Sequence, residues 1–303
     1  MLPFSRISII GLGLIGSSIA RAVRAHMPTV GITGYDADPA VRERAAELGI
    51  ADDVTDTPGA AVTDADMVML CVPVGAMREA GEAIAADLAD GVVVSDVGSV
   101  KGSILDDLRA VLPPGVAIVP GHPVAGTENS GPDAGFAQLF HNRWCILTPD
   151  ERTEAFAVER LSAFWSRLGA NVEVMDPKHH DLVLAVTSHL PHLIAYTIVG
   201  TASDMESVTR SEVIKYSAGG FRDFTRIAAS DPTMWRDVFL ANKEAVLEML
   251  QRFTEDMTAL QRAIRWDDGD ALFNLFSRTR AIRRSIIDQG QDDARPDFGR
   301  AHD

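Results

Sequence analysis

Cysteine is nearly missing from this chain. Of 303 residues only Cys71 and Cys145 are cysteines. Both lie in apolar, strand-like settings (VMLCVPV and WCILTP), so they read as buried free thiols and not as a disulfide framework. Positive charge is scarce as well. Lys and Arg number 28 against 43 Asp and Glu, giving a net charge of −15. That excludes nucleic acid as a partner, because phosphates demand a basic face. An anionic ligand must then be drawn in by local positive charge, against the overall field. Metal-ligand sets are also lacking. His179, His180, His189 and His192 cluster, but no well-spaced carboxylates or cysteines complete a site, and no metal is expected. A secretory leader is not expected either, since the first apolar segment is interrupted by glycines. One apolar run, Leu182 to Gly200, approaches membrane-spanning length. It contains Ser188, His189, Pro191 and His192, so it reads as a buried core helix with no membrane partner, in a cytoplasmic protein. There is no internal repeat.

What is present is organised around Arg6 to Arg21, RISIIGLGLIGSSIAR. Ile7 to Ile10 reads as a buried strand and Leu14 to Val23 as a helix, with Gly11, Gly13 and Gly16 at G-x-G-x-x-G spacing between and within them. Gly11 allows the tight turn, Gly13 lets a pyrophosphate approach the backbone, and Gly16 lets the helix pack on the strand. Free N–H groups at the helix start, where Leu14 and Ile15 lie, then face the phosphate charge. Val30 to Tyr35 reads as the next strand and ends at Asp36, placed to accept hydrogen bonds from ribose hydroxyls. Residues 37–39 supply no Arg or Lys to meet a 2′-phosphate, so NAD is favoured over NADP.

Strand and helix patterns alternate to about Asp176. Helices are expected at Val41 to Leu48, Met77 to Leu88, Ser99 to Val111 and Glu154 to Leu168. Strands are expected at Asp64 to Val74, Gly91 to Val97 and Val116 to Pro120. Phe140 to Thr148 and Ala170 to Met175 are two further candidate strands that could extend the sheet. Near-continuous apolar strands suit a parallel sheet covered on both faces. The fold class is therefore α/β, a Rossmann-type doubly wound parallel sheet, followed by an all-α domain. Asp176-Pro177 gives a helix-start signal, and from there the pattern is helical: Pro177 to about Ala202, Met205 to Lys215, a long amphipathic helix from Asp231-Pro232 to about Arg265, and Ala271 to Ile287. The expected division is residues 1–176 as nucleotide-binding domain, 177–290 as helical dimerisation and substrate domain, and 291–303 as a loose tail. A helix too apolar for solvent in a small all-α domain suggests a homodimer.

In a doubly wound sheet ligands sit at the carboxyl ends of the strands, which directs attention to Cys71–Val74 (Val72 and Pro73 as candidate cofactor contacts) and to four motifs. Ser99, in SDVGSVKG, either caps a helix or presents a hydroxyl at the cleft mouth. His122, between Gly121 and Pro123, has an ionisation range suited to proton transfer at neutral pH. Ser188, His189 and His192, in SHLPH, offer polar contact to a ligand. Gly219-Gly220-Phe221-Arg222-Asp223-Phe224-Thr225-Arg226, followed by Ser230 to Arg236, makes a loop able to wrap a small anion, with Arg226 as a candidate carboxylate clamp by its bidentate geometry. Together these describe a nicotinamide-dependent dehydrogenase with one acid/base histidine, one hydroxyl and a cationic pocket.

At the same residues the chain resembles the prephenate/arogenate dehydrogenase family of tyrosine biosynthesis. The combination SDVGSVKG, GHPVAGTE-SG, SHLPH and GGFRDFTRIAASDPTMWRD, in that order, carries the resemblance over nearly the whole chain. It implies a nucleotide-binding domain joined to a helical dimerisation domain with the active site between them, using NAD and no metal. It further implies that His122 is the catalytic histidine and that Ser99 helps orient it. Ser188 and His192 would contact substrate, Arg226 would bind the ring carboxylate, and Gly219, Asp223 and Trp235 would line the pocket. The expected reaction is oxidative decarboxylation of prephenate, arogenate or both. The readings that compete with it are a β-hydroxyacid dehydrogenase, which would want a catalytic lysine in the helical domain, and a non-enzymatic NAD-sensing module.

Overall fold

The structure, a computed structural model, describes residues 2–127, 129–209 and 219–288. It divides into two compact units, Met1–Leu247 and Glu248–Asp303. Glu128 and most of the helix expected at 205–215 lie outside the described residues, as does the tail.

The first unit begins with β1 (Arg6–Ile10), α1 (Leu14–His26), β2 (Gly31–Tyr35), α2 (Pro39–Glu47), β3 (Asp53–Val54), α3 (Pro58–Val62), β4 (Met67–Leu70), α4 (Met77–Ile84), β5 (Val93–Asp96), α5 (Gly102–Val111) and β6 (Ala117–Ile118). The six strands form one sheet in the order β3-β2-β1-β4-β5-β6, every pair parallel. The order reverses direction between β1 and β4, the switch point at which such folds bind dinucleotides. The apolar runs are there because both faces are covered: Met67, Val68, Met69 and Leu70 of β4 have no exposed surface.

The candidate strands after residue 120 do not extend this sheet. β7 (Gly121–Pro123), β8 (Trp144–Leu147) and β9 (Asn171–Val174) make a separate three-stranded sheet, with α6 (Ala155–Arg167) between the last two. β7 runs antiparallel to β8, which three residues of sequence, Gly-His-Pro, cannot reveal. Pro120 has no N–H to continue the parallel ladder. Its carbonyl instead accepts from Thr148 N at 2.9 Å, opening the new sheet.

The helical part starts where expected. Asp176 caps α7 (Pro177–Leu184) by accepting from the N–H groups of Lys178 and His179. The single apolar helix expected from 177 is interrupted by a wide, π-helical turn, Ala185–His189, before α8 (Leu190–Thr209). Pro191 explains this: it cannot donate to the carbonyl four residues back, and a widened turn relieves the clash. Nor is this stretch buried within the chain. Pro177–Asp204 is long and apolar enough to span a membrane, but only 22% of its most apolar window is covered, and Leu182, Val186, Ile198 and Val199 are exposed. After residue 218 come α9 (Gly219–Thr225) and α10 (Pro232–Ala241), the latter capped by Asp231 accepting from Met234 N at 2.9 Å. The long helix expected from Asp231 to Arg265 is in fact two, α10 and α11 (Lys243–Arg265), divided at Asn242.

The second unit consists of the remainder of α11 and α12 (Gly269–Asp288). Asp267, in the WDDGD break, turns the chain with φ of 53°. Large apolar side chains lie open along it, including Phe273 and Trp266, exposed by 71% and 74%.

Candidate active site

The glycine fingerprint has the geometry its spacing implies. Gly11 has φ of +100°, and a Cβ there would stand 2.4 Å from the carbonyl oxygen of Cys71, the residue after β4. A Cβ on Gly16 would stand 2.0 Å from the Gly11 carbonyl oxygen and 3.0 Å from Ile9, so only glycine lets α1 lie against β1. Gly13 is the opposite case. Nothing lies within 4 Å of the Cβ it lacks, leaving open space at the start of α1, beside Leu14 and Ile15, where an anionic pyrophosphate meets free N–H groups. A dinucleotide therefore fits these residues. Asp36 is held to the same loop: one carboxylate oxygen accepts from Leu12 N at 2.8 Å and the other from Asp38 N at 3.0 Å. Val72 flanks Gly11, its Cγ1 being 3.3 Å from where a Cβ would lie, and Pro73 follows, exposed, in the loop after β4. One cation escaped the sequence argument. Residues 37–39 hold no base, yet Arg42 folds back from α2 to donate to the Asp36 carbonyl at 2.8 Å, over the Tyr35 ring.

His122 lies on β7 and is 8% exposed. Its Nδ1 is 2.8 Å from Nε2 of His180, and the two rings meet edge to face. His180 is fully buried, and its Nδ1 lies 2.9 Å from Oδ1 of Asp181. Burial holds the His122 ring well below the ordinary histidine range, reinforced by the charges of His180, Lys101 and His189. At neutral pH it is an uncharged proton acceptor.

Beneath it is a buried ion pair. Lys101 Nζ contacts Asp96 Oδ2 and donates to the Gly121 carbonyl at 2.6 Å, while Asp96 accepts from Gly98 N at 2.8 Å. Both charged residues have no exposed surface. Burial pushes Lys101 down and Asp96 up, and their mutual attraction opposes both shifts. The pair ties the loop containing Ser99 to the strand containing His122.

Ser99 does not cap a helix. α5 starts three residues later, and its first N–H groups are capped from outside: Asp181 accepts from Lys101 N at 2.8 Å and Gly102 N at 2.9 Å. No hydrogen bond joins the Ser99 hydroxyl to His122 among the described residues; the Nδ1 position is taken by His180. Ser99 instead lies with its backbone beside the His189 ring.

The SHLPH motif falls on the π-helical turn and the first residues of α8. His189 is buried, accepts at Nδ1 from the Asn242 amide nitrogen at 3.1 Å, and is pushed down by burial to about 4. Ser188 is half-buried, and its carbonyl accepts from His192 Nδ1 at 2.8 Å. His192 stacks on Trp235 with centroids 3.6 Å apart. Trp235 is itself only 6% exposed, so it supports His192 and the core more than it lines open space. Burial lowers His192, and the charge of Arg226 lowers it further. That places Arg226, exposed at the end of α9, within electrostatic reach of the motif. Gly219 and Asp223 lie on α9, Asp223 exposed at one helical turn from Gly219.

Sequence reasoning missed four contributors. His180 and Asp181 stand adjacent in KHHD, which was a usable signal for a hydrogen-bonded pair. Lys101 was visible in SDVGSVKG but not its burial. Asn242, whose amide also donates to the Asp181 carbonyl at 2.8 Å, gave no signal inside an apparently continuous helix.

A doubly wound sheet with a glycine loop at its switch point, joined to helices that bring a second set of polar residues to a buried neutral histidine, defines a two-part nucleotide-dependent dehydrogenase. Comparison with known proteins gives the particular family. Residues 19–174 match the prephenate dehydrogenase nucleotide-binding domain and residues 176–278 the prephenate dehydrogenase dimerization domain. Cyclohexadienyl dehydrogenase of Zymomonas mobilis is 47% identical over 94% of this chain and 97% of its own length. Prephenate dehydrogenase of Bacillus subtilis is 35% identical over 92% of this chain and 76% of its own. The crystal structure of A. aeolicus prephenate dehydrogenase with hydroxyphenyl propionate and NAD+ superposes with a TM-score of 0.87 at 36% identity, covering 93% of this chain and 98% of that one. The chain belongs to the prephenate dehydrogenase family.

Proposed function

We propose that the protein catalyses NAD-dependent oxidative decarboxylation of a cyclohexadienol in tyrosine biosynthesis, converting prephenate to 4-hydroxyphenylpyruvate, arogenate to tyrosine, or both. The observation that carries this reading is His122: a neutral, buried imidazole at the carboxyl side of the nucleotide-binding sheet, with a cation-bearing helix motif nearby. The relative with 47% identity is a cyclohexadienyl dehydrogenase, which favours a substrate range wider than prephenate alone.

Gly11, Gly13, Leu14, Ile15 and Gly16 would hold the pyrophosphate, Asp36 the adenosine ribose, and Val72 and Pro73 the rim of the cleft. When bound, the nicotinamide supplies the hydride acceptor. His122 takes the proton of the ring hydroxyl while the carbinol hydrogen leaves as hydride. The carbinol carbon gains carbonyl character, the bond to the ring carboxyl breaks, and its electron pair enters the ring. Carbon dioxide departs and the ring becomes aromatic, which makes the step effectively irreversible. Arg226 holds the ring carboxylate by charge, with Ser99, Ser188 and His192 as polar contacts and Gly219, Asp223 and Trp235 around them, so that the carbinol carbon is aligned before reaction. A second copy of the chain would cover the exposed apolar helices, giving a homodimer.

Two substitutions separate these roles. His122→Asn is expected to lower kcat by roughly 10²–10⁴-fold with little change in KM for NAD. Arg226→Ala should act chiefly on KM for the carboxylate substrate, raising it on the order of 10–100-fold. If His122→Asn retained full kcat, the proposed base would be wrong.

A further inference from the structure

We propose that His180 and Asp181 are positioning residues that fix His122 in the tautomer carrying its proton on Nδ1, leaving Nε2 as the base that meets substrate. This rests on the reading of His122 as the acceptor of the ring hydroxyl proton.

The chain of hydrogen bonds starts at the carboxylate. Both oxygens of Asp181 already accept backbone N–H groups at the start of α5, from Lys101 and from Gly102. Held there, Asp181 offers His180 only an acceptor, so His180 Nδ1 must be the donor across 2.9 Å. A neutral imidazole with its proton on Nδ1 has a bare Nε2. That nitrogen lies 2.8 Å from His122 Nδ1 and can only accept from it. His122 therefore carries its proton on Nδ1. Its Nε2 has no protein hydrogen bond among the described residues. The chain of three groups thus converts the position of a helix-capping carboxylate into the direction of a lone pair two rings away.

The groups facing His122 are His180, Lys101 and His189, and those facing His180 are His122, Asp181, Lys101, Asp96 and His189. Burial, with the Lys101 charge, disfavours a second proton on His180 and outweighs the pull of Asp181 and Asp96 toward it. This matters, because a doubly protonated His180 would donate to His122 and reverse its tautomer. When His122 gains a proton at Nε2 during reaction, the Asp181 charge stabilises the cation through the intervening ring, without water. The arrangement follows the general logic of a base oriented by a third group.

The test uses the whole 303-residue chain and two kinds of readout. In the wild-type chain labelled with 15N-histidine, without cofactor or substrate, the His122 ring should show a protonated Nδ1 and an unprotonated Nε2 at pH 7, assigned by its loss in His122→Asn. A protonated Nε2 would overturn the proposal, whatever reaction the site performs. In kinetics, His180→Leu removes the acceptor and should lower kcat roughly 10²-fold. KM for NAD should stay within about twofold, since the glycine loop is untouched. His180→Gln places an amide oxygen where Nε2 was and should recover at least about tenfold of that loss, which repair of packing alone would not do. Equal kcat in wild type and a folded His180→Leu would also overturn the proposal. Failure of the wild type to turn over either substrate would instead strike the proposed function and leave the NMR result to stand or fall by itself.

Discussion

Burying an imidazole favours its neutral form, and this site buries several. The sign of the pH effect follows for His189, whose folded value is depressed to about 4. Its stabilisation is complete above the unfolded value of ~6.5 and is lost as pH falls toward the folded value, because the unfolded chain binds the proton first. The loss is about 3 kcal/mol over that window. Urea midpoints should therefore fall between pH 6.5 and 4, and fall less steeply in His189→Gln; parallel slopes for the two proteins would contradict the assignment. His122 is depressed by the same cause, so kcat/KM should show no acid limb from His122 between pH 8 and 6.5. At this scale His122 was legible because glycine and proline flank it at a strand end. The residues that orient it were not. His180 stood out in sequence only as one of a histidine cluster, and its tie to His122, 58 residues away, depends on β7 and α7 meeting.

Elements show which sequence signals are local enough to read. The glycine fingerprint is a contact between β1, α1 and β4, and each glycine answers a different steric demand, so it predicts different failures. Gly13→Ala meets open space at φ of −70°. It should cost less than about 1 kcal/mol of stability and weaken NAD by about tenfold or more, since a methyl group then occupies the approach to the pyrophosphate. Gly16→Ala drives a Cβ to 2.0 Å from the Gly11 carbonyl and should destabilise the fold by about 1–3 kcal/mol or more. Thermal melting and NAD titration of both variants check this; a Gly16→Ala protein as stable as wild type would contradict it. The parallel sheet was legible in the same way, from apolar runs, and the helix starts after it from caps such as Asp176 and Asp231. The second sheet was not, because antiparallel pairing of β7 with β8 is a long-range event that leaves no periodic trace in three residues. The π-helical turn and the division at Asn242 escaped for a related reason: the first answers Pro191 and the second answers hydrogen bonds to Asp181 and His189, and neither disturbs the apolar period.

For the molecule as a whole, the apolar character of the helices after residue 176 was evident in sequence, but its destination was misread. The helix from Pro177 does not bury itself within its own chain; it leaves Leu182, Val186, Ile198 and Val199 open. Exposed apolar area of this kind marks an interaction surface, and the match to a dimerization domain over residues 176–278 supports the proposed second copy of the chain as its occupant. Light scattering on the purified protein should give twice the chain mass of 32.6 kDa, with no monomer at micromolar concentration despite the net charge of −15. A monomer at that mass would contradict the proposed homodimer.

The most direct measurement is steady-state turnover of the purified protein with prephenate and with arogenate, each with NAD and with NADP, following reduced nucleotide and carbon dioxide together. The account predicts turnover of at least one substrate with NAD, one carbon dioxide released per nucleotide reduced, and weaker use of NADP because Asp36 would face its 2′-phosphate. Turnover of neither substrate, or nucleotide reduction without carbon dioxide, would contradict it.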